Sequence, residues 1–164
     1  MKVLLVVESM FGNTAAVAQA IAAGLRGASA EVELVAADHA PNPAGADLVL
    51  VGAPTHNLGL PTPKSREIAA SQGAEVPACG VAEWLASLGR FDRRNVASFD
   101  TAVPSVFSGS AAKQIVQRAR RLGATIVDRQ SFRVAGSPPV LADGELARAE
   151  GWGRDLVAKA SPVR

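Results

Sequence analysis

The sequence is poor in residues that build disulfides and metal centres. Cys79 is the only cysteine among 164 residues, which excludes an internal disulfide and a cluster of cysteine ligands around a metal. The two histidines, His39 and His56, have no acidic residues at ligand spacing around them. We therefore expect no metal site. We expect Cys79, beside Gly80, to be a small buried residue rather than a nucleophile.

Long apolar runs are also absent. No stretch approaches the roughly 18 residues that a membrane-spanning helix requires. The apolar residues at the start of the sequence meet a charge at Glu8 and are too few for the hydrophobic region of a secretory signal. The sequence thus predicts a buried strand here, no membrane span and a cytoplasmic protein.

The net charge is only +2, but the charged residues are unevenly distributed along the chain. Residues 90–133 contain nine basic and three acidic residues, whereas residues 1–89 contain four basic and eight acidic ones. Nucleic-acid binding would require aromatic residues among the basic ones, or a recognition helix. We expect Arg118, Arg120 and Arg121 instead in the last turn of a helix, where cations suit the negative end of the dipole. We predict no nucleic-acid partner.

Strand and helix patterns alternate along the chain, and residues 1–164 are expected to form one domain. Alternation of this kind implies right-handed crossovers and a parallel sheet covered by helices on both faces, which is an α/β architecture. Strands are predicted at Lys2–Val7, Glu31–Ala36, Asp47–Gly52, Asn95–Phe99 and, in two parts, Thr125–Val127 and Phe132–Val134. Helices are predicted up to Gly27 and at Pro63–Ala70, Val81–Leu88, Ser110–Leu122 and Asp143–Lys159, the last with Leu146 on its inner face.

The Ser9–Thr14 segment (Ser-Met-Phe-Gly-Asn-Thr) joins the first predicted strand to the first helix. Backbone N–H groups at a helix N-terminus lack partners, and the helix dipole favours an anion there. Gly12 permits a conformation that other residues resist, and Ser9, Asn13 and Thr14 offer short donors to phosphate oxygens. The segment contains no Walker lysine and no Gly-x-Gly-x-x-Gly spacing, which argues against a nucleotide triphosphatase or an NAD fold. A plain N-cap by Asn13 or Thr14 is the alternative, but the position after the first strand favours phosphate binding.

This segment resembles the flavodoxin signature, Thr/Ser-x-Thr-Gly-Asn-Thr, which holds the phosphate of FMN. Val51–Asn57 is similar to the first flavin loop of that family, and Phe99–Gly109 is similar to the second. The resemblance covers essentially the whole chain. It implies a three-layer α/β/α flavodoxin-like fold with a five-stranded parallel sheet in the order 2-1-3-4-5, and FMN as the cofactor.

The resemblance also assigns residues to the cofactor. Six residues would surround the phosphate, five would line one side of the flavin, and the second loop would border the other side. The phosphate group is Ser9, Met10, Phe11, Gly12, Asn13 and Thr14; the first flavin loop is Pro54, Thr55, His56, Asn57 and Leu58; the second runs from Asp100 and Thr101 to Gly109.

The sequence departs from the family pattern at three features. His56 stands where many flavodoxins have a stacking Trp, and the chain has no Tyr for the second loop. Because an aromatic pair adds roughly 0.5–1.5 kcal/mol, we expect weaker flavin binding and one flavin face left open. His56 either stacks or is exposed to solvent. Asn57 stands where glycine is common, so we expect less stabilisation of the one-electron-reduced flavin. Finally, a pI of about 9.1 contrasts with the acidic members of the family and favours different redox partner proteins.

We predict a flavodoxin-like electron-transfer protein. One alternative is an FMN-dependent oxidoreductase acting on quinones or protoporphyrinogen, because an open flavin face and an apolar second loop would suit such a substrate. In that loop, Val106 and Phe107 can also be interpreted as core residues that anchor the loop, and we favour this interpretation for Phe107. A second alternative is a flavin-free interaction module on the same fold, which the missing aromatics favour and the intact Gly12-Asn13-Thr14 opposes.

Overall fold

The computed structural model describes residues 1–105 and 109–161 and contains one sheet in these residues. Its strands are β1 (Lys2–Val7), β2 (Glu31–Ala36), β3 (Leu48–Pro54), β4 (Asn95–Ala102), β5 (Thr125–Ala135) and β6 (Val140–Leu141). They lie in the order β2-β1-β3-β4-β5-β6. The first five are parallel, and β6 pairs antiparallel with β5.

Helices cover both faces of this sheet. They are α1 (Asn13–Gly27), α2 (Pro63–Ser71), α3 (Val81–Ser87), α4 (Ala111–Arg121) and α5 (Glu145–Ala160). One core lies between the sheet and helices α1 and α5, and the other lies between the sheet and helices α3 and α4. In the first core, the rings of Phe99, Phe132 and Trp152 meet edge to face at centroid distances of 6.1 to 6.3 Å. Across residues 1–105 and 109–161, none of the helices combines the length and hydrophobicity that a membrane span needs.

The α/β architecture and the order 2-1-3-4-5 are confirmed, but the predicted number of strands is wrong by one. After β5 the chain turns back at Gly136, which has φ 90°, and forms β6. A strand of two residues is too short to leave a periodic pattern in the sequence. The predictions for Val106 and Phe107 lie outside the described residues.

The interruption predicted within the last parallel strand is also wrong, because β5 is continuous. Polar residues occur in its middle because β5 has only the two-residue β6 on its outer side. One of them, Asp128, accepts hydrogen bonds from Trp152 Nε1 at 3.0 Å and from Lys159 Nζ at 2.5 Å. These bonds lower the pKa of Asp128, although burial acts in the opposite direction. A polar residue at this position is therefore compatible with a strand.

Helix α5 begins differently from the prediction, which placed Leu146 on its inner face. Leu146 is 47% exposed, and the neighbouring Glu145 takes the buried position. Its carboxylate accepts from the backbone N–H of Arg133 at 2.6 Å and from Arg148. The hydrogen bond from Arg148 lowers the pKa of Glu145. A charged residue faces inward here because it ties the helix to the end of β5.

Helices α1 and α5 pack closely because a glycine stands at each side of their contact. A Cβ atom on Gly24 would lie 1.9 Å from the carbonyl oxygen of Glu150, and one on Gly153 would lie 2.3 Å from that of Ile21. Such contacts involve backbone atoms, which cannot turn away as a flexible side chain does. The distance between the two helices therefore depends on these glycines.

Substituting glycines within α5 should separate packing from helix propensity. We expect Gly153→Ala to lower the free energy of unfolding by about 2 kcal/mol, because overpacking outweighs the better helix propensity of alanine. Gly151→Ala is the matched control, since a Cβ there would meet nothing within 4 Å. It should raise the free energy of unfolding by about 1 kcal/mol. Urea denaturation of both variants tests this, and changes of the same sign would contradict it.

Candidate functional site

A cleft opens where β1, β3, β4 and β5 end, at the carboxyl edge of the sheet. Ligands of open α/β sheets bind at this edge. The side chains in the cleft are apolar or neutral, apart from one histidine. The cleft is lined by Met10, Phe11, Asn13, Thr14, Pro54, Thr55, His56, Thr101, Val103, Val134 and Pro139.

The Ser9–Thr14 loop presents backbone N–H groups at the start of α1. Gly12 has φ 90° and a Cβ there would meet nothing within 4 Å, so the backbone conformation and not the space requires glycine. The N-cap residue, Gly12, has no side chain to cap the helix, and in the first turn only the N–H of Ala15 has a side-chain acceptor within residues 1–105 and 109–161, Ser9 Oγ. Among the described residues, no acceptor takes the N–H groups of residues 10–14. Five neighbouring donors at the positive end of a 15-residue helix are thus available to an anion.

The polar side chains of this loop are engaged within the fold. Ser9 Oγ accepts from the N–H of Ala15 at 3.2 Å, and Asn13 Nδ2 donates to the carbonyl of Pro139 at 2.8 Å. The hydroxyl of Thr14 pairs with that of Thr101 at 2.8 Å. These contacts join the loop to β4 and to the β5–β6 connection. The donors that remain available to a ligand in this loop are therefore mainly backbone N–H groups rather than side chains.

Asp100 lies beneath the cleft and does not line it. Its side chain is fully buried and accepts hydrogen bonds from the hydroxyls of Thr55 (2.9 Å), Ser110 (2.6 Å) and Ser131, and from the N–H of Ala112 (3.0 Å). These donors come from β5, the N-terminus of α4 and the residue after β3. Asp100 therefore fixes the walls of the cleft from behind.

The turn after β3 is held in a strained conformation. His56 and Gly59 exchange two backbone hydrogen bonds, of 2.9 and 3.1 Å, and the residues between them, Asn57 and Leu58, have φ values of 44° and 74°. Two positive φ values indicate a type I′ turn, which suits asparagine at its first position but not leucine at its second. The carbonyl oxygen of Leu58 also approaches Gly109, where a Cβ would lie 1.6 Å from it. Gly109 thus permits the two loops to touch.

A buried ion-pair network lies next to the Ser9–Thr14 loop. Glu8, fully buried, accepts from Arg66 Nη1 at 3.0 Å and from the N–H of Val81 at 2.9 Å. Arg66 also donates to Glu83 at 2.6 Å, and Glu83 accepts from the N–H of Gly80. Burial raises the pKa of Glu8, although the hydrogen bonds from Val81 and Arg66 act against it. The network connects the end of β1 to helices α2 and α3.

The structure brings together eight of the fourteen predicted site residues as lining of the cleft. They are Met10, Phe11, Asn13, Thr14, Pro54, Thr55, His56 and Thr101. Ser9 and Gly12 face an adjoining depression, and Asn57 and Leu58 form the exposed turn. Asp100 and Gly109 act from behind the cleft or between its loops.

Two lining residues, Val134 and Pro139, were not predicted as part of the site. Val134 is near the carboxyl end of β5, and Pro139 lies in the connection to β6. The signal available for Val134 was its position, since all parallel strands of a sheet end at the same edge. For Pro139 the sequence offered only a Pro-Pro loop without a ligand-binding pattern.

The fold and the cleft define an α/β protein with an open, anion-accepting helix N-terminus at the carboxyl edge of a parallel sheet. A family model described as Flavodoxin matches residues 5–152. The chain therefore belongs to the flavodoxin family, whose members are FMN-binding electron-transfer proteins.

Solved structures share this fold at low sequence identity. A flavodoxin from the domain Archaea is 22% identical, with a TM-score of 0.67 over 98% of this chain and 99% of its own. The two-electron reduced flavodoxin of Megasphaera elsdenii is 21% identical, with a TM-score of 0.67 over 95% and 98%. Oxidised flavodoxin 1 of Bacillus cereus is 18% identical, with a TM-score of 0.71 over 96% and 98%. No curated protein sequence matched the chain.

Removing the cation of the buried network should destabilise the protein in a pH-dependent manner. In Arg66→Met the carboxylate of Glu8 stays buried without its partner, and we expect a loss of about 3–5 kcal/mol near neutral pH. The folded-state pKa of Glu8 would rise further above its unfolded value, so the folded protein would bind this proton more tightly. Stability then falls as pH rises through that pKa, and the loss should be smaller at about pH 5 than at about pH 8.

The control for this prediction is Lys64→Met in the same helix. Lys64 forms an exposed pair with Glu67 at 3.5 Å, and its loss should cost under about 1 kcal/mol at either pH. Urea denaturation at both pH values measures each variant. A pH-independent loss in Arg66→Met would show that Glu8 is not the group responsible.

The strained turn gives a prediction of opposite sign. Leu58→Gly should raise the free energy of unfolding by about 1 kcal/mol, since glycine adopts positive φ without the clash that a Cβ causes. Leu58 is 62% exposed, so little burial is lost. Leu58→Ala keeps the Cβ and serves as the control, with no such gain expected. Thermal or urea denaturation of the two variants decides the matter, and destabilisation by glycine would contradict the strain argument.

Proposed function

We propose that the cleft binds FMN and that the protein transfers electrons through this cofactor. The observation that carries the proposal is the row of five unpartnered N–H groups at residues 10–14, beside a cleft with neutral walls. Backbone donors and the dipole of α1 suit a phosphate group without a lysine or arginine. When bound, FMN supplies the redox centre, and the chain supplies binding, orientation and electrostatics.

The residues of the cleft fit the two parts of FMN, its phosphate and its flavin ring. The Ser9–Thr14 loop would hold the phosphate, with Ser9 Oγ still able to donate its proton. Pro54, Thr55, His56 and Thr101 would lie against the flavin, with the turn at Asn57 and Leu58 and the contact at Gly109 beside its edge. Val103, Val134 and Pro139 would close the cleft with apolar surface that excludes water.

Aromatic contact in the cleft is limited to two rings, those of Phe11 and His56, among the described lining residues. Phe11 is 39% exposed and projects from the phosphate-binding loop itself. It provides apolar surface to a cleft whose second loop has no tyrosine. The expectation of weaker FMN binding than in aromatic-rich relatives remains a prediction.

The lining residues also bear on the choice between carrier and enzyme. His56 is the only titratable group among the lining residues that the structure describes. Because acid–base chemistry on a substrate requires positioned proton donors and acceptors, this set favours electron transfer over substrate conversion. Steady-state reduction of quinones by a nicotinamide donor would instead favour the oxidoreductase alternative.

Titration with FMN and with riboflavin tests the proposal, because riboflavin lacks the phosphate. We expect FMN to bind at least about tenfold more tightly than riboflavin, as measured by flavin fluorescence. Gly12→Ala should weaken FMN binding about tenfold, since the left-handed backbone conformation costs an alanine residue about 1–2 kcal/mol of conformational free energy. Its effect on riboflavin should stay within about twofold, because only the phosphate contacts this part of the loop.

Gly27→Ala is the matched control for that titration. Gly27 ends the same helix, and a Cβ there would meet nothing within 4 Å, so FMN affinity should not change. Equal affinities for FMN and riboflavin would exclude the phosphate assignment. Absence of binding at about 100 μM FMN would leave the flavin-free interaction module.

A further inference from the structure

Six exposed cations of residues 90–133 lie on two neighbouring elements. We refer to them as the basic face: Lys113, Arg118, Arg120 and Arg121 on α4, and Arg129 and Arg133 on β5. None of them has a carboxylate within 4 Å among residues 1–105 and 109–161. Their charge is therefore not consumed in close ion pairs, although Arg133 is near enough to Glu145 to contribute to lowering the pKa of that carboxylate.

The helix dipole explains only part of this arrangement. Arg118, Arg120 and Arg121 occupy the last turn of α4, as the sequence predicted, and cations there are stabilised by the dipole. Lys113 is in the first turn, where the dipole disfavours a cation. Arg129 and Arg133 lie on a strand, which has no comparable dipole. Half of the basic face thus lacks a local structural reason.

Acidic residues of the same segment do not neutralise the basic face. Asp100 is fully buried under hydroxyl and N–H donors, and Asp128 is paired with Lys159 of α5. Glu145, near the end of β5, is paired with Arg148. The third acid of the segment, Asp92, is exposed in the turn before β4, at the edge of the sheet where α4 ends, and among the described residues it forms no ion pair within 4 Å with a cation of the basic face. A net positive surface remains on α4 and β5.

The basic face reaches the rim of the cleft at one end only. Lys113, in the first turn of α4, and Arg133, near the end of β5, lie toward the carboxyl edge of the sheet. The last turn of α4 lies toward the opposite edge, where Leu122 accepts a hydrogen bond from the N–H of Phe91.

Val103 lines the cleft and also a second depression that contains Arg133 and Arg148. Arg133 on β5 lies opposite Ala102 on β4, and Ala102 directly precedes Val103. At the rim, three apolar side chains are exposed: Phe11 at 39%, Leu58 at 62% and Val103 at 54%. An apolar centre with charges beside it is the composition of a transient protein interface.

We propose that the basic face, together with this apolar rim, is the docking surface for an acidic protein that exchanges electrons with the cofactor. The proposal rests on the proposed FMN function. Long-range attraction would bring an acidic partner toward α4 and β5, and the apolar rim would then be covered close to the cleft.

Nucleic acid and membrane fit the same surface less well. Phe11 is the only exposed Phe, Tyr or Trp among the described residues, and it does not belong to the basic face, which therefore has no stacking platform for bases. The exposed positions of α4 are Lys113, Gln117, Arg118, Arg120 and Arg121, without apolar residues that would enter a lipid surface. An acidic protein surface requires only the charges that are present.

Charge reversal at three positions tests the proposal. The basic-face variant carries Lys113→Glu, Arg129→Glu and Arg133→Glu, none of which lines the cleft. The control carries Arg26→Glu, Lys64→Glu and Arg154→Glu, three exposed cations on α1, α2 and α5 with the same change in net charge. Binding of an acidic plant-type [2Fe–2S] ferredoxin is measured by calorimetry at about 20 and about 300 mM salt, after FMN titration of each protein.

We expect the basic-face variant to lose about tenfold or more in ferredoxin affinity at low salt, the control to stay within about twofold, and salt to weaken wild-type binding. Equal losses in both variants, absence of ferredoxin binding, or tighter binding of a basic c-type cytochrome would overturn the proposal. So would tighter binding of duplex DNA or phosphatidylserine vesicles that the basic-face variant loses. Ferredoxin binding does not require flavin, so the two proposals can fail separately. If FMN does not bind but ferredoxin still binds in a charge-dependent manner, the proposed FMN function is overturned and the docking surface is retained.

Discussion

The buried carboxylate of Asp100 determines how the carboxyl edge of the sheet is organised. It receives the N–H of Ala112 directly, and two hydroxyls relay neighbouring N–H groups to it: Thr55 accepts from Ala111, and Ser110 accepts from Lys113. The carboxylate thus occupies the positive end of the α4 dipole, which compensates its burial without a nearby cation. Because its donors come from three elements, the positions of β3, β5 and α4 around the cleft depend on one residue.

The N-terminus of α1 is the opposite case at the same edge. The left-handed backbone of Gly12 leaves the N–H groups of residues 10–14 without acceptors among the described residues. The side chain of Asn13, a residue type that often caps helices, donates instead to the carbonyl of Pro139. An uncapped helix start next to a cleft costs stability unless an anion completes it. One helix N-terminus is satisfied by the protein's own carboxylate, and the other is left for a ligand. This division supports the proposal that the phosphate of FMN binds at the N-terminus of α1.

Sequence patterns predicted the features that are local in the chain. The strand-loop-helix order around Ser9–Thr14 and the helix starting near Ser110 could be predicted from the sequence, because spacing and turn residues specify them. The sheet order was implied by the resemblance to the flavodoxin family. The pairing of Glu8 with Arg66 and the burial of Asp100 could not be predicted from the sequence, since both depend on contacts between residues far apart in the chain. Asp100 was expected to border the flavin because the family resemblance placed it in the second flavin loop. Its burial depends on Ser131 and Thr55, whose hydroxyls carry no distinguishing signal in the sequence.

Charge and cofactor site are separated in this molecule. The described lining of the cleft has no Lys, Arg, Asp or Glu, while the two buried carboxylates beneath it, those of Glu8 and Asp100, are each compensated locally. Substitutions on α4 and β5 would therefore change the field outside the cleft with little change in the polarity of its walls, since exposed charges are screened by solvent. Such a separation allows the surface charge to diverge from that of acidic relatives while the cofactor environment stays the same. On the proposed function, the basic surface of this flavodoxin would change its redox partner rather than the chemistry of its cofactor.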